Sequence, residues 1–345
     1  MNTVPRGVRY VSDAGLTWQR KKVGRGFSYL NKSGNPLTVE EVEKVTKLAI
    51  PPAWDNVQIC PSDDGHIQAI GYDDKGRKQY IYHPDWIARQ QQNKFDGMIR
   101  FGELLPKLRR TIYRHMAERE LTRKRILATV VWLLENTFIR VGNKEYEKEN
   151  DSHGLTTMRG KHVRVWGNTI KFHFEGKSGV YHELDVTHPR VAQTIKACIE
   201  LPGYEIFHYL DEDRNKRSID SHDVNEYLHE IAGEEMSAKD FRTWGGTTIA
   251  GSTLYKLGKP TSEEEGKKAV SQTIEAVAEN LGNTPAVSRE YYIHPKVLAS
   301  YEDGSLIPHF DRVFKSKGNN QSHLSLGEYA TWTLLQVKME NGKVK

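Results

Sequence analysis

Cysteine is nearly absent from this 345-residue chain: Cys60 and Cys198 stand far apart and form no Cys-x-x-Cys pair. That excludes a disulfide framework and a thiolate zinc ribbon, and it fits a reducing compartment. Long apolar runs are missing too. The longest, Ile126 to Leu134, contains Thr129 and is too short to span a bilayer. Arg6 and Arg9 are not followed by an apolar stretch, so no secretory signal is expected. The 14 histidines include no His-Glu-x-x-His pattern. Asp211, Asp213 and Asn215 begin like a calcium loop, but Lys216 and His222 occupy the places where that loop needs Gly and Glu. Gly176-Lys177-Ser178 falls short of a nucleotide-binding loop, because Lys171 replaces its first glycine and a strand pattern follows. The expectation is a cytoplasmic protein with no metal, no cofactor and no membrane association.

Hydrophobic residues make up 37% and charged residues 28%, enough apolar material for real cores and, at this length, for two domains. The net charge of +5 is modest but unevenly spread. Residues 1–37 hold seven basic side chains against Asp13 alone, and residues 100–125 hold nine against three acidic ones. Segregated basic faces suit a polyanion, although a solvated surface of uneven sign gives the same pattern.

The fold class read from these patterns is α+β. Residues 1–90 form a small N-terminal β-sheet domain. Residues 91–345 form a larger, mainly α-helical domain with a small three-stranded β-sheet and a helical tail over about 303–345. Thr38-Val39-Glu40-Glu41 is a capping box that opens a helix through Val42, Val45 and Ala49, ended by Pro51-Pro52. His66–Tyr72 and Arg77–Tyr82 are strands joined by a hairpin turn at Asp73-Asp74-Lys75-Gly76. The polar stretch Gln90 to Lys94 is the candidate linker. Helical spacing follows over Leu104–Arg125 and Lys124–Arg140. The β patch comprises His162–Trp166, Thr169–Phe174 and Val180–Val186. Helices are then expected over Pro189–Leu201, behind Ser221 and Ser237 as N-caps, over Ser262–Leu281 up to Gly282, and over Ser325–Val337. The last of these is assigned to packing.

Chemistry-bearing residues gather in the second domain. Lys239 and Arg242 lie three apart and share a helix face. Arg140 sits amid Phe138, Ile139 and Val141, where a guanidinium needs an anionic partner: a structural carboxylate or a bound phosphate. Lys177 occupies a glycine-flanked turn that could deliver an ammonium. Asn283 and Tyr292 follow. Two arginines can bind phosphate oxygens, a tyrosine can attack phosphorus, and a lysine can protonate a departing oxygen. A phenol with a pKa near ~10 needs cationic neighbours to react as phenolate; otherwise a tyrosine before Ile293 and Pro295 is a packing residue. On the hairpin, Gln79, Tyr80 and Tyr82 lie beside Lys75, Arg77 and Lys78. Tyr80 and Tyr82 share a strand face, fit for a DNA groove or for packing on a core.

Taken together these segments resemble the type IB DNA topoisomerases of the small poxvirus-like and bacterial kind, from roughly residue 8 to 300. The likeness rests on Gly71-Tyr72-Asp73 to Tyr82, on Phe138 through Arg140 to Tyr146, on Lys239-Asp240-Phe241-Arg242-Thr243-Trp244-Gly245, and on Asn283-Thr284-Pro285-Ala286-Val287 leading to Tyr292. It implies the catalytic fold shared by tyrosine recombinases and these topoisomerases. It implies an isomerase acting as a monomer on double-stranded DNA in the nucleoid, with two lobes closing around the duplex. One strand would be cut through a 3′-phosphotyrosine on Tyr292, with Tyr291 the competing choice. Rotation and religation would then need neither ATP nor metal. By the same resemblance Arg140 and Arg242 hold nonbridging oxygens, and Lys177 protonates the leaving oxygen with help from Lys239. Asn283 donates a hydrogen bond where many relatives carry histidine, and Lys144 and Tyr146 touch the DNA backbone. The competing readings are a tyrosine recombinase, which usually shows His-x-x-Arg where this chain has Lys239-x-x-Arg242, and a non-enzymatic DNA-binding protein.

Overall fold

The computed structural model describes residues 4–144, 147, 151–201, 203–316 and 323–337, together with the backbone of 339–340 and 343–344. The chain divides into two compact units, Met1–Asp96 and Gly97–Lys345.

The first unit is a five-stranded antiparallel sheet in the order β2-β1-β3-β4-β5. Its strands are β1 Trp18–Val23, β2 Gly26–Leu30, β3 Asp55–Ile59, β4 Ile67–Tyr72 and β5 Lys78–Tyr82. Helix α1, Val39–Lys47, covers one face and buries Val45 against Trp18, Leu37, Val57, Ile59 and Ala69. Its capping box forms as expected: Thr38 Oγ1 accepts from Glu41 N–H, and the Glu41 carboxylate accepts from Thr38 N–H at 2.8 Å. The helix stops earlier than the prolines alone require, because Ala49 turns into the left-handed region at φ +50°. The buried Arg20 guanidinium then donates to the carbonyls of Ile50, Pro51 and Trp54, which closes this corner. The β4–β5 hairpin has the expected turn. Asp73 Oδ1 accepts from the N–H groups of Lys75 and Arg77, and Gly76 takes φ +73°.

The expected linker is helical. Gln90 to Lys94 lies inside α2, Pro84–His115, and the boundary between the units falls within that helix. Gln and Lys are good helix formers, so a polar run of this kind does not by itself mark a break. The real break comes at 116–122, inside the segment read as one helix over Leu104–Arg125. There Thr122 accepts from Arg125 N–H and opens α3, Arg123–Thr137.

Helix α3 is apolar all round, with every residue from Arg125 to Leu134 buried, so it is the axis of the second unit. Around it pack α4 Pro189–Glu200, α5 Ser221–Ala232 and α6 Ala238–Leu257. Helix α5 is capped by Asp220, whose carboxylate accepts from the N–H groups of His222 and Asp223; the expected cap Ser221 is the first helical residue. Then follow α7 Glu263–Leu281, α8 Pro285–Tyr291, α9 Pro295–Glu302, α10 Leu306–Lys315 and α11 Leu326–Gln336. The antiparallel sheet β6 Val163–Trp166, β7 Thr169–Glu175 and β8 Tyr181–Thr187 turns Ile170, Phe172 and Phe174 inward. A two-stranded hairpin, β9 His208–Leu210 and β10 Lys216–Ser218, completes it. Among the described residues no helix is long and apolar enough to cross a membrane.

Helix α11 packs against α10 and α6, and it carries the acid that joins three elements. Glu328 accepts from Arg109 Nη2 on α2 at 2.7 Å and from Trp244 Nε1 on α6 at 3.1 Å. Arg109 Nε in turn donates to Glu135 on α3 at 2.7 Å. Burial alone would lower the Arg109 pKa, and Glu328 and Glu135 more than offset it. Removing one member of a mostly buried ion network leaves its partner uncompensated. Glu328→Ala is therefore expected to destabilise the protein by about 3 kcal/mol in urea unfolding. A loss below about 0.5 kcal/mol, the usual scale of a surface change, would mean that the network is not buried in solution.

Candidate active site

Two glycines on α6 let the site assemble. A Cβ on Gly245 would lie 2.1 Å from the Phe138 ring, and one on Gly246 would lie 2.7 Å from the Tyr292 carbonyl oxygen. Only glycine permits both approaches. They bring the end of α3, which leads to Arg140, and the end of α8, which presents Tyr292, against the helix that carries Arg242. The helix α3 ends at Thr137 rather than at Arg140, because Phe138 adopts the left-handed conformation at φ +54°. This turns its carbonyl toward α6, where it accepts from Arg242 Nη1. Thr247 Oγ1 donates to the Tyr292 carbonyl at 3.1 Å and accepts from His294 N–H at 3.0 Å, which pins the tyrosine segment from both sides.

Arg242 is only 4% exposed, and among the described residues no carboxylate lies within ion-pair distance of it. Its Nη2 donates to the Leu281 carbonyl at 2.8 Å, while its Nε is buried with no hydrogen-bond partner. Burial first, and the neighbouring Arg140 second, pull its pKa down to about 10. The group stays charged at neutral pH, but it is poor in counter-charge. Arg140 Nη2 donates to Asn283 Oδ1 at 2.5 Å and reaches the Gly282 carbonyl at 3.5 Å. Asn283 therefore uses its oxygen on Arg140, and its Nδ2 is buried without a partner.

The Arg242 guanidinium carbon lies 5.2 Å from the centre of the Tyr292 ring. Burial would raise the pKa of that phenol. The charge of Arg242 and its hydrogen bond, followed by Arg140 and Lys239, outweigh burial and bring the pKa below the ordinary tyrosine value. Tyr291 behaves in the opposite way: burial and the adjacent Glu290 push its pKa up, and its side chain is exposed. The geometry thus gathers Arg140, Arg242, Asn283 and Tyr292, with Lys239 on the same helix face, exposed and acting through its charge. Lys177 sits exposed on the tight β7–β8 turn, where Ser178 and Gly179 take positive φ. His182 on β8 was not anticipated. It meets Gly282 at this corner, and its burial and the charges of Arg140 and Arg242 lower its pKa. The alternation that faces Leu184 and Val186 inward also faces His182 inward, and that was its only sequence signal.

In the first unit, Tyr80 and Tyr82 are exposed and stacked on one another at 5.6 Å, with the Lys78 ammonium over Tyr80. Gln79 donates to Asp73 at 3.0 Å. Lys144 lies 3.8 Å from Glu205, and Tyr146 lies outside the described residues. Among the described residues there is no cluster of three or more His, Cys, Asp or Glu side chains fit to hold a metal ion.

Comparison with known proteins decides the family. Residues 83–307 match the family described as eukaryotic DNA topoisomerase I, catalytic core, and residues 26–73 match the bacterial DNA topoisomerase IB N-terminal domain. A DNA topoisomerase 1B of Acanthamoeba polyphaga mimivirus is 31% identical over 292 residues, which is 82% of this chain and 87% of that relative. The chain belongs to the type IB DNA topoisomerases. The DNA topoisomerase 1B of vaccinia virus (strain Copenhagen) is 25% identical over 244 residues, covering 69% of this chain and 73% of the viral one. Membership in the type IB family makes the chain an enzyme of the isomerase class and sets aside the recombinase and non-enzymatic readings.

The electrostatic account of Tyr292 can be tested without DNA. In Arg242→Ala the raising effect of burial is left with fewer opposing charges, so the Tyr292 pKa rises. With tyrosine labelled at Cζ, NMR titration should show its transition move to higher pH while that of Tyr291 stays in place. An unmoved Tyr292 transition would refute the coupling.

Proposed function

We propose that the protein relaxes supercoiled duplex DNA by transient cleavage of one strand through a 3′-phosphotyrosine at Tyr292. The observation that carries this is Arg242, a buried guanidinium with no carboxylate beside it among the described residues, lying over a phenol whose acidity it enhances. A buried charge of this kind is costly unless an anion completes it, and a phosphodiester is the anion that the family handles.

In the cleavage step Tyr292 gives its proton to solvent water, and its phenolate Oη attacks phosphorus. The Oη–P bond forms as the P–O5′ bond breaks, and the electron pair departs on O5′. Lys177 gives that oxygen a proton, becomes neutral, and takes the proton back when O5′ returns to displace the tyrosine. Lys239 assists this exchange. The forks of Arg140 and Arg242 neutralise the charge on the nonbridging oxygens as it builds. Asn283 Nδ2, a buried donor without a partner, supplies a further hydrogen bond; leaving such a donor unmet costs about 1–3 kcal/mol. One phosphoester is exchanged for another, so the cycle needs no ATP, and two guanidiniums stand in for a metal ion. While the strand is open the free end rotates and torsion is lost. The protein acts as a monomer in the nucleoid. The exposed tyrosine pair of the first unit lies against the same duplex as the two lobes close around it.

Two outcomes follow. Plasmid relaxation should proceed in EDTA without ATP; its complete loss on chelation would disprove the metal-free route. Tyr292→Phe should abolish the covalent adduct on duplex labelled at the 5′ end of the cut strand while DNA binding persists, and Tyr291→Phe should keep it. An adduct formed by Tyr292→Phe would transfer the nucleophile to Tyr291.

A further inference from the structure

We propose that His182 is a positioning residue of this reaction: its imidazole keys the turn that carries Lys177 to the corner that anchors both arginines. The inference rests on the reading of Lys177 as proton donor.

The ring lies between two backbones that both lack a side chain. A Cβ on Gly176 would sit 2.7 Å from His182 Cδ2, and a Cβ on Gly282 would sit 2.4 Å from Cε1. On its flat side the imidazole stacks on Phe174, its cross-strand partner, with ring centres 5.0 Å apart and planes 15° from parallel. Gly176 directly precedes Lys177. Gly282 is the C-terminal glycine of α7, at φ +57°, and it joins Leu281 to Asn283. The Leu281 carbonyl accepts from Arg242, and the Gly282 carbonyl and Asn283 Oδ1 accept from Arg140. One aromatic ring therefore touches the backbone beside the proton donor and the backbone beside the phosphate clamp.

This placement answers a difficulty in the proposed mechanism. Lys177 sits on an exposed turn of three residues with two in the left-handed region, so the backbone that carries it must be held in place by what packs beneath it. Proton donation requires it within hydrogen-bond reach of O5′, and about 1 Å of misplacement can cost a hundredfold. A rigid ring wedged between Gly176 and Gly282, backed by Phe174, fixes the base of the turn relative to the arginines. An imidazole suits the place because in its neutral form it adds no charge beside Arg140 and Arg242, and burial with those two cations favours that form.

The test compares leaving groups. Single-turnover cleavage is measured with the full chain at a site that the wild type cleaves, on duplexes bearing a normal 5′-oxygen or a 5′-bridging phosphorothiolate, whose sulfur leaves without protonation. His182→Ala is expected to slow cleavage about 100-fold on oxygen and less than about 3-fold on sulfur, in parallel with Lys177→Ala. His182→Phe, which keeps a ring between the glycines, should stay within about 5-fold of wild type on both. Should the alanine variant fail to fold, His182→Gln keeps the volume, loses the ring, and is read in the same way. Rescue of Lys177→Ala by sulfur without rescue of the His182 variants overturns the positioning role alone. Equal slowing of Lys177→Ala on both substrates overturns the donor role, and with it the purpose of the key. A wild-type rate for His182→Ala on oxygen also overturns it.

Discussion

The site is organised by one buried guanidinium. Arg242 donates to the carbonyls of Phe138 and Leu281 and lies over the Tyr292 ring, so it ties the end of α3 to the ends of α7 and α8, far along the sequence. Carbonyls satisfy hydrogen-bond donors without cancelling charge. The arrangement is thus stable enough to hold its shape, yet it keeps a positive potential where a polyanion can use it. A carboxylate at the same place would have made a better ion pair and a worse anion site. The raised acidity of Tyr292 and the depressed pKa of Arg242 are two faces of this single choice.

Such a centre needs rigid support, because two arginines close together repel. The C-terminal helix contributes to that support. Through Glu328 it holds Trp244, two residues beyond Arg242, and through Arg109 it reaches Glu135, five residues before Arg140. On the other side, the buried Lys296 ammonium, four residues after Tyr292, donates to the carbonyls of Leu335 and Val337. The tail that reads as simple packing is thus attached to the segments bearing both guanidiniums and the phenol. Packing and electrostatics are not separable here: the brace holds the cations where their mutual repulsion would otherwise spread them.

Much of this was legible in the residues, for reasons that differ from place to place. The capping boxes at Thr38 and Ser325, the Asp73 hairpin turn and the glycine after α7 were readable because each depends on contacts within a few residues. The inward alternation of Ile170, Phe172 and Phe174 was readable because a strand has a fixed period. The linker at Gln90 to Lys94 misled, since polarity says nothing of backbone order. The α3 terminus misled as well: a left-handed phenylalanine has no sequence signature, and only the Arg242 hydrogen bond to its carbonyl explains it. Arg140, Arg242, Asn283 and Tyr292 could be picked out by type and spacing. Their convergence depends on Gly245 and Gly246, whose role appears only once Phe138 and Tyr292 are seen against them. His182 was hidden because histidine on an inward strand position reads as core.

Asn283 shows how neighbouring charges limit what a site can hold. The Arg140–Arg242 repulsion already contributes to drawing the Arg242 pKa down to about 10. An imidazolium in place of the amide would place a third cation against the same corner and increase that repulsion. An amide avoids this and performs two tasks at once: its oxygen orients Arg140 at 2.5 Å, and its nitrogen remains a buried donor. A neutral imidazole can also accept at one nitrogen and donate at the other, but only in one tautomer and only while it stays unprotonated. The amide has no protonation state to lose between acid and neutral pH. Within a corner that also contains His182, the fixed donor pattern of asparagine leaves one imidazole beside the arginines instead of two.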